Sequence, residues 1–242
     1  MQTKNIRGPA RRGCVREQNR MGKIKTPEEI REELFERYPA LESCRGEFDA
    51  MYEACVRAYE GGGKVLVAGN GGSAADAEHI VGELMKSFLV RRPADAALCA
   101  ALREKFGEEG ARIAGNLEGA LAAVPLTSMP ALSTAFLNDV DPLLVFAQML
   151  SGYGRKGDVF IGITTSGNSK NILNAFMVAK AMGVTAVALT GEGGGSSLSL
   201  ADICVRVPER ETFKVQEYHL PVYHALCAML EARFFGDRAL AR

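Results

Sequence analysis

Short apolar runs alternate with segments of helical periodicity along most of this chain. The runs lie at residues 64–68, 122–126, 158–163, 184–189 and 203–207, and nearly every position in them is apolar. Strands that are apolar on both faces are typical of a parallel sheet covered by helices, because the crossover between two parallel strands usually carries a helix. The sequence therefore predicts an α/β fold built on a parallel sheet.

The helical patterns frame these strands. Residues 26–60 predict two helices that are broken near Pro39, and Thr26 followed by Pro27 predicts the start of the first one. Later helices are predicted at about residues 73–88, 142–154, 169–182 and 212–235, the last with a kink or local distortion at Pro221.

One segment fits this alternation less simply. Residues 94–121 are helical in composition, with Leu98, Leu102 and Phe106 recurring every four residues. Three interpretations are open for this segment: a lid, an interface element or a surface hairpin. No linker divides the chain, so we expect a single domain over residues 26–242 with a helical insertion at about 94–121.

Composition excludes several classes of protein. The chain has 242 residues, 47% of them hydrophobic and 24% charged, and its 29 basic residues balance 29 acidic ones. This balance favours neither a nucleic-acid partner nor an anionic membrane, and no apolar run reaches the length of a membrane span. The six cysteines form no C-x-x-C pair and no secretory signal is evident, so we expect a reducing cytoplasm.

The first 25 residues differ in charge from the rest. They carry eight basic side chains against Glu17 alone. A nucleic-acid arm or a transit peptide would have this charge. Because aromatic residues and an amphipathic run are absent, we predict a solvated, disordered tail.

Two glycine- and hydroxyl-containing loops follow apolar runs and open helices. They are residues 69–73 (Gly-Asn-Gly-Gly-Ser) and 164–169 (Thr-Thr-Ser-Gly-Asn-Ser). Backbone N–H groups at a helix N-terminus bind anions, and hydroxyls donate to phosphate oxygens. The first loop also fits a dinucleotide fingerprint, but no acid follows at the end of a second strand. Either loop alone would also serve as a tight turn, whereas the two together favour a phosphate pocket.

The two loops, together with parts of two helices, carry a specific resemblance to a known family. The two loops resemble the signature loops of sugar isomerase (SIS) domains, and residues 27–236 are similar in layout to the phosphoheptose isomerases of that family. Residues 76–83, residues 215–219 and His224 carry the closer resemblance. It implies a five-stranded parallel sheet of flavodoxin-like arrangement, an N-terminal helical hairpin and a homotetramer. The chain departs from the family at Gly82, where an acidic pair keeps only its second member, and at the insertion.

The resemblance also implies site residues. From the residues alone, His79 and Glu83 lie on one helix face, and a simple surface pair has the same spacing. For His224 the alternative to a functional role is a buried core histidine. By resemblance, Glu83 and His224 form the acid–base pair, and one Zn²⁺ is bound by His79, Glu83, Gln216 and His224, a donor set dominated by groups that suit zinc. The implied substrate contacts are Asn70, Gly71, Gly72, Ser73, Asn138, Asp139, Thr164, Thr165, Ser166, Ser169 and Gln216.

The implied activity is an aldose–ketose isomerisation of sedoheptulose 7-phosphate to D-glycero-D-manno-heptose 7-phosphate. The alternative is a SIS-domain protein without catalysis, either a binding protein for a replication initiator or a sugar-phosphate sensor. Relatives of the first kind lack the acid and the last-helix histidine, and those of the second kind carry a DNA-binding segment that this chain lacks. The presence of Glu83, Gln216 and His224 together favours the enzyme.

Overall fold

The structure, a computed structural model, describes residues 24–236. The predicted tail at residues 1–25 therefore lies outside the described residues, apart from its last two positions. The strands are Val65–Gly69 (β1), Ala123–Pro125 (β2), Val159–Ile163 (β3), Thr185–Gly191 (β4) and Ile203–Val207 (β5). The helices are Pro27–Arg37 (α1), Arg45–Glu60 (α2), Gly72–Met85 (α3), Ala96–Asn116 (α4), Pro130–Asp139 (α5), Val145–Tyr153 (α6), Lys170–Met182 (α7), Ser197–Leu200 (α8) and Thr212–Phe235 (α9), with 3-10 turns at Pro39–Cys44 and Pro142–Leu144.

The five strands form one parallel sheet in the order β2-β1-β3-β4-β5. This confirms the predicted five-stranded sheet and its flavodoxin-like arrangement. In a sheet of this order the crossovers change direction between β1 and β3, and ligands bind outside the carboxyl ends of the strands at that point. β1 and β3 are the strands that precede the two glycine-containing loops, so the fold places both loops there.

Alternate residues of the central strands face two different helix layers. Val65 and Val67 of β1 pack into a core with α1, α2, α3 and α9, whereas Leu66 and Ala68 pack into a second core with α6 and α7. The strands are buried at almost every position because both faces are covered. This layering explains why they read as continuous apolar runs.

The N-terminal helices form the predicted pair. Thr26 and Glu29 make a reciprocal capping box at the start of α1, and the 3-10 turn that begins at Pro39 separates α1 from α2. The rings of Phe35 and Phe48 meet edge to face, with centroids 5.8 Å apart. Among the described residues, no helix has the length and apolar composition needed to span a membrane.

Two helices differ from the sequence expectations. The helix after the first loop ends at Met85 rather than near residue 88, because the chain turns extended at Lys86. α5 was not predicted; it is a short helix between β2 and α6, and none of its residues is buried. The last helix lies at the predicted residues, Thr212–Phe235, and continues through Pro221.

The segment at residues 94–121 is a helical hairpin. Gly107 has a φ of 54° within α4 and reverses the chain there. The thiol of Cys99 then lies 3.8 Å from the carbonyl oxygen of Ala114, and Gly110 packs against the backbone of Leu102. The segment therefore has the form of a hairpin, and most of its residues are exposed in the single chain.

Candidate active site

The first loop joins β1 to α3. Gly71 has a φ of 57° and is the N-cap residue of α3, a conformation that glycine adopts without a steric penalty. Asn70, Gly71 and Gly72 are exposed, whereas Ser73 is buried and its amide donates to the carbonyl of Asn70. The exposed backbone at the start of α3 can therefore receive an anion.

The second loop joins β3 to α7 and presents hydroxyl groups. The hydroxyls of Thr164 and Ser169 lie 2.9 Å apart, and Ser166 is exposed between them. Gly167 has a φ of 69°, and a Cβ at this position would collide with the backbone of Gly194. The loop is thus held in one shape by its neighbour, with Thr165 accepting a backbone bond from Gly191.

An amide pair joins the two loops. Nδ2 of Asn70 donates to Oδ1 of Asn171 at 3.0 Å, and Nδ2 of Asn171 donates back to Oδ1 of Asn70 at 2.8 Å. Both loops therefore lie side by side at the carboxyl ends of β1 and β3. Sequence reasoning missed Asn171, whose only signal is an amide in the first turn of the helix that follows the loop.

A second group of side chains comes from α3 and α9. Nε2 of His79 lies 3.3 Å from Oε1 of Glu83 and 3.5 Å from Nε2 of His224. The His79 and His224 rings are nearly perpendicular, with centroids 4.9 Å apart. The Glu83 side chain is only 13% exposed, against 42% for His79. A carboxylate and two imidazoles therefore meet around the Nε2 atom of His79.

Tyr223 orients the His79 ring. Its hydroxyl lies 3.0 Å from Nδ1 of His79 and donates to Oδ1 of Asp76 at 3.3 Å. Because that hydroxyl has one proton and gives it to Asp76, Nδ1 of His79 is the donor in the other bond, and the lone pair is left on Nε2. Burial is the main cause that raises the pKa values of both Asp76 and Tyr223. Sequence reasoning assigned neither residue a role, although Asp76 lies one turn before His79.

The His224 imidazole is half-buried beside Phe88, with ring centroids 5.7 Å apart. Burial lowers the pKa of His224, and the neighbouring His79 lowers it further against a smaller opposite effect of Glu83. A neutral imidazole at this position can accept a proton or coordinate a metal.

The remaining predicted residues lie in two places. Gln216 packs over the start of α3, where a Cβ on Gly72 would lie 2.5 Å from Nε2 of the amide. Asn138 and Asp139 lie exposed at the end of α5, where the Asn138 amide donates to the Asp139 carboxylate at 2.8 Å. The structure thus places Gln216 at the first loop. Asn138 and Asp139 contact each other and not Glu83, His79 or His224.

Comparison with known proteins agrees with this geometry. The family model described as SIS domain matches residues 36–124 and 111–191. The phosphoheptose isomerase of Sulfurimonas denitrificans is 37% identical over 214 residues, covering 88% of this chain and 94% of that protein. The one from Burkholderia pseudomallei is 41% identical over 186 residues, covering 77% and 81%. The chain belongs to the SIS-domain family, and within it to the phosphoheptose isomerases.

Solved structures of that family share the fold. A phosphoheptose isomerase from Francisella tularensis matches with a TM-score of 0.64 and 28% identity, covering 83% of this chain and 93% of that one. The one from Neisseria gonorrhoeae matches with a TM-score of 0.60 and 30% identity, covering 83% and 96%.

Within residues 24–236, no set of three or more His, Cys, Asp and Glu side chains is preassembled to hold a metal ion. The short separations described above concern two pairs, His79 with Glu83 and His79 with His224.

Proposed function

We propose that the protein is an aldose–ketose isomerase, an intramolecular oxidoreductase that converts sedoheptulose 7-phosphate to D-glycero-D-manno-heptose 7-phosphate. The observation that carries this proposal is the meeting of the Glu83 carboxylate and the His224 imidazole around His79. The names and coverage of the relatives support the same substrate.

The chemistry needs one base at carbon and one group at oxygen. Isomerisation removes a proton from C1 of the ketose, forms an enediol and returns a proton to C2. A carboxylate such as Glu83 can move the carbon-bound proton, and a neutral imidazole such as His224 can move the oxygen-bound one. Their positions on separate helices allow the two groups to act on opposite parts of the same C1–C2 unit.

The two loops would anchor the phosphate. The Ser166 and Ser169 hydroxyls and the backbone at the start of α3 can donate to phosphate oxygens, whereas the Thr164 side chain is buried and its hydroxyl lies against that of Ser169. Contacts several bonds away from the reacting carbons fix their geometry at the acid–base pair. The anchor therefore supplies binding energy without taking part in proton transfer.

We further propose that one Zn²⁺ binds His79, Glu83 and His224, with Gln216 as a weaker fourth ligand. In tetrahedral zinc sites with bonds of about 2.1 Å, neighbouring donors lie about 3.4 Å apart. The His79–Glu83 and His79–His224 pairs each have this spacing, and zinc binding would draw the two pairs into one set. The lone pair on Nε2 of His79 also suits a metal ligand. A bound zinc ion would stabilise negative charge on the enediol oxygens.

We also propose a homotetramer that works in the cytoplasm. α5 has no buried residue. Its apolar side chains Leu132 and Leu137 are exposed to solvent in the single chain, as is Val140 just beyond the helix. An uncovered apolar helix of this kind is expected at a contact between copies of the chain. The cytoplasmic location rests on the cysteine pattern. Size-exclusion chromatography with light scattering tests the tetramer, and a fully active monomer would refute it.

A regulatory SIS-domain protein remains the second candidate, since sugar-phosphate binding alone would need only the two loops. Incubation with a panel of ketose phosphates, followed by detection of the aldose products, separates the two functions. We expect turnover of the seven-carbon substrate and loss of turnover in Glu83→Gln. Binding without turnover in the unaltered protein would favour the regulatory candidate.

A further inference from the structure

A buried ion pair lies behind the acid–base group. The side chains of Arg92 and Glu231 are 0% and 2% exposed, and Nε of Arg92 donates to Oε1 of Glu231 at 2.7 Å. Removing two charges from water is unfavourable unless further hydrogen bonds compensate. Each partner of this pair makes such hydrogen bonds, and these connect the pair to residues of the candidate active site.

Arg92 binds the end of α3. Its Nη1 donates to the carbonyl oxygen of Leu84 at 2.6 Å, and its Nη2 donates to the carbonyl oxygen of Glu83 at 2.8 Å. Carbonyls in the last turn of a helix have no partner inside the helix. Arg92 therefore holds the main chain of Glu83, the residue whose carboxylate faces His79.

Glu231 binds the segment that leaves α3. Its carboxylate accepts hydrogen bonds from the amides of Phe88, Leu89 and Val90, at 2.8, 2.7 and 3.1 Å. The Phe88 ring in turn rests beside His224. Glu231 lies two helical turns after His224 on α9, so the same helix carries both ends of this connection.

We propose that Arg92 and Glu231 are positioning residues that set the separation between the Glu83 carboxylate and the His224 imidazole. The inference rests on the proposed function. Arg92 acts through the main chain of Glu83, and Glu231 acts through Phe88. A misplacement of reacting groups by about 1 Å costs about 10²-fold in rate, so a small relaxation of this pair lowers turnover while leaving the phosphate loops unchanged.

A second buried ion pair provides a matched control. The Asp158 carboxylate is 2% exposed, accepts hydrogen bonds from the amides of Lys64 and Arg155, and pairs with the Lys64 ammonium at 2.7 Å. It combines a buried carboxylate, backbone donors and one cation, as Glu231 does. Lys64 and Asp158 precede β1 and β3, so this pair lies at the amino ends of these strands, whereas the loops lie at their carboxyl ends.

The test compares Arg92→Lys, Glu231→Gln and Asp158→Asn in the full chain, each with a melting curve. We expect the first two to lower kcat about 10²-fold with KM for the sugar phosphate changed only a few-fold. Asp158→Asn should lower the melting temperature and leave kcat unchanged. Equal kcat losses in all three variants, or unchanged kcat in the first two, would overturn the proposal.

A spectroscopic readout separates this inference from the proposed function. In metal-free protein, ¹H–¹³C spectra report the Cε1–H resonance of His224, one of only three histidines, which is sensitive to the ring of Phe88. We expect the resonance to move in Arg92→Lys and Glu231→Gln but not in Asp158→Asn, whether or not the protein isomerises a sugar. An unmoved resonance in both variants would contradict the positioning role.

Phe88→Leu keeps the proposal testable if Glu231→Gln fails to fold. This change leaves the ion pair intact and removes the ring that rests beside His224. A loss of kcat without a matching change in KM is expected here too, and unchanged kcat would remove Glu231 from the positioning role.

Discussion

The two parts of the candidate site are built in different ways. The phosphate loops use backbone and hydroxyl groups within a few residues of a strand end, and one amide pair joins them. The acid–base group instead depends on His79 and His224, which are 145 residues apart and meet only because α3 packs on α9. Binding therefore depends on local loop structure, whereas catalysis depends on long-range packing. Variants in the two parts should change different kinetic constants.

The largest expected effect is on turnover. Glu83→Gln and His224→Asn should each lower kcat by at least about a hundredfold, because each removes a group that transfers a proton. Isothermal titration with the sugar phosphate should show that binding persists in both variants. Near-normal turnover in either variant would remove that residue from the acid–base role and break the division between the two parts.

A loop variant should show the opposite behaviour. Ser169→Ala removes a hydroxyl that lies against Thr164 in the second loop. The loss of one hydrogen bond to a charged phosphate costs about 1.5 kcal/mol, so KM should rise about tenfold while kcat changes little. Steady-state kinetics measure both constants. A fall in kcat with an unchanged KM would contradict the assignment of this loop to binding.

A further variant tests the contact between the Tyr223 hydroxyl and His79. Tyr223→Phe keeps the ring but frees Nδ1 of His79, and disruption of such an outer contact lowers metal affinity about tenfold or more. Competition with a chromophoric chelator measures zinc affinity. Tyr59→Phe is the control, since the Tyr59 hydroxyl is also buried and has no hydrogen-bond partner among the described residues. Equal zinc affinity in both variants would contradict the role of Tyr223.

The smallest expected effect concerns stability and pH. Burial lowers the pKa of His219 from 6.5 to about 4, against a smaller opposite effect of the Thr190 backbone. Between these pH values the unfolded chain binds this proton more readily, so the free energy of unfolding falls by up to about 3 kcal/mol as pH drops from 6.5 to 4. His219→Leu should remove this part of the pH dependence. Denaturant unfolding at several pH values measures it, and parallel curves for the two proteins would contradict the assignment.

Much of the fold could be predicted because its signals are local. The five apolar runs, the break near Pro39 and the two loops are each visible within ten residues, and each lies where expected. α5 was missed because its ten residues lie in the short interval between two predicted elements, and its apolar side chains Leu132 and Leu137 are exposed rather than packed on the sheet. A hairpin at residues 94–121 was only one of three interpretations, and Gly107 did not mark the reversal of α4, since glycine also occurs inside ordinary helices.

The site was less predictable, because its contacts join distant parts of the chain. His79 and Glu83 share a helix face by their spacing, but their meeting with His224 depends on how α9 packs. Asn171, Tyr223, Arg92 and Glu231 have no motif, and their roles follow only from partners that are far away in sequence.

The central claim is that Glu83 and His224 move protons on a sugar phosphate held by the two loops. The most direct measurement follows sedoheptulose 7-phosphate by NMR in D₂O with the unaltered protein. The account predicts that solvent deuterium accumulates at C2 of the aldose over many turnovers, because the proton that Glu83 takes from C1 can exchange with solvent during the lifetime of the enediol. No deuterium at C2 after prolonged equilibration, or no aldose at all, would contradict it.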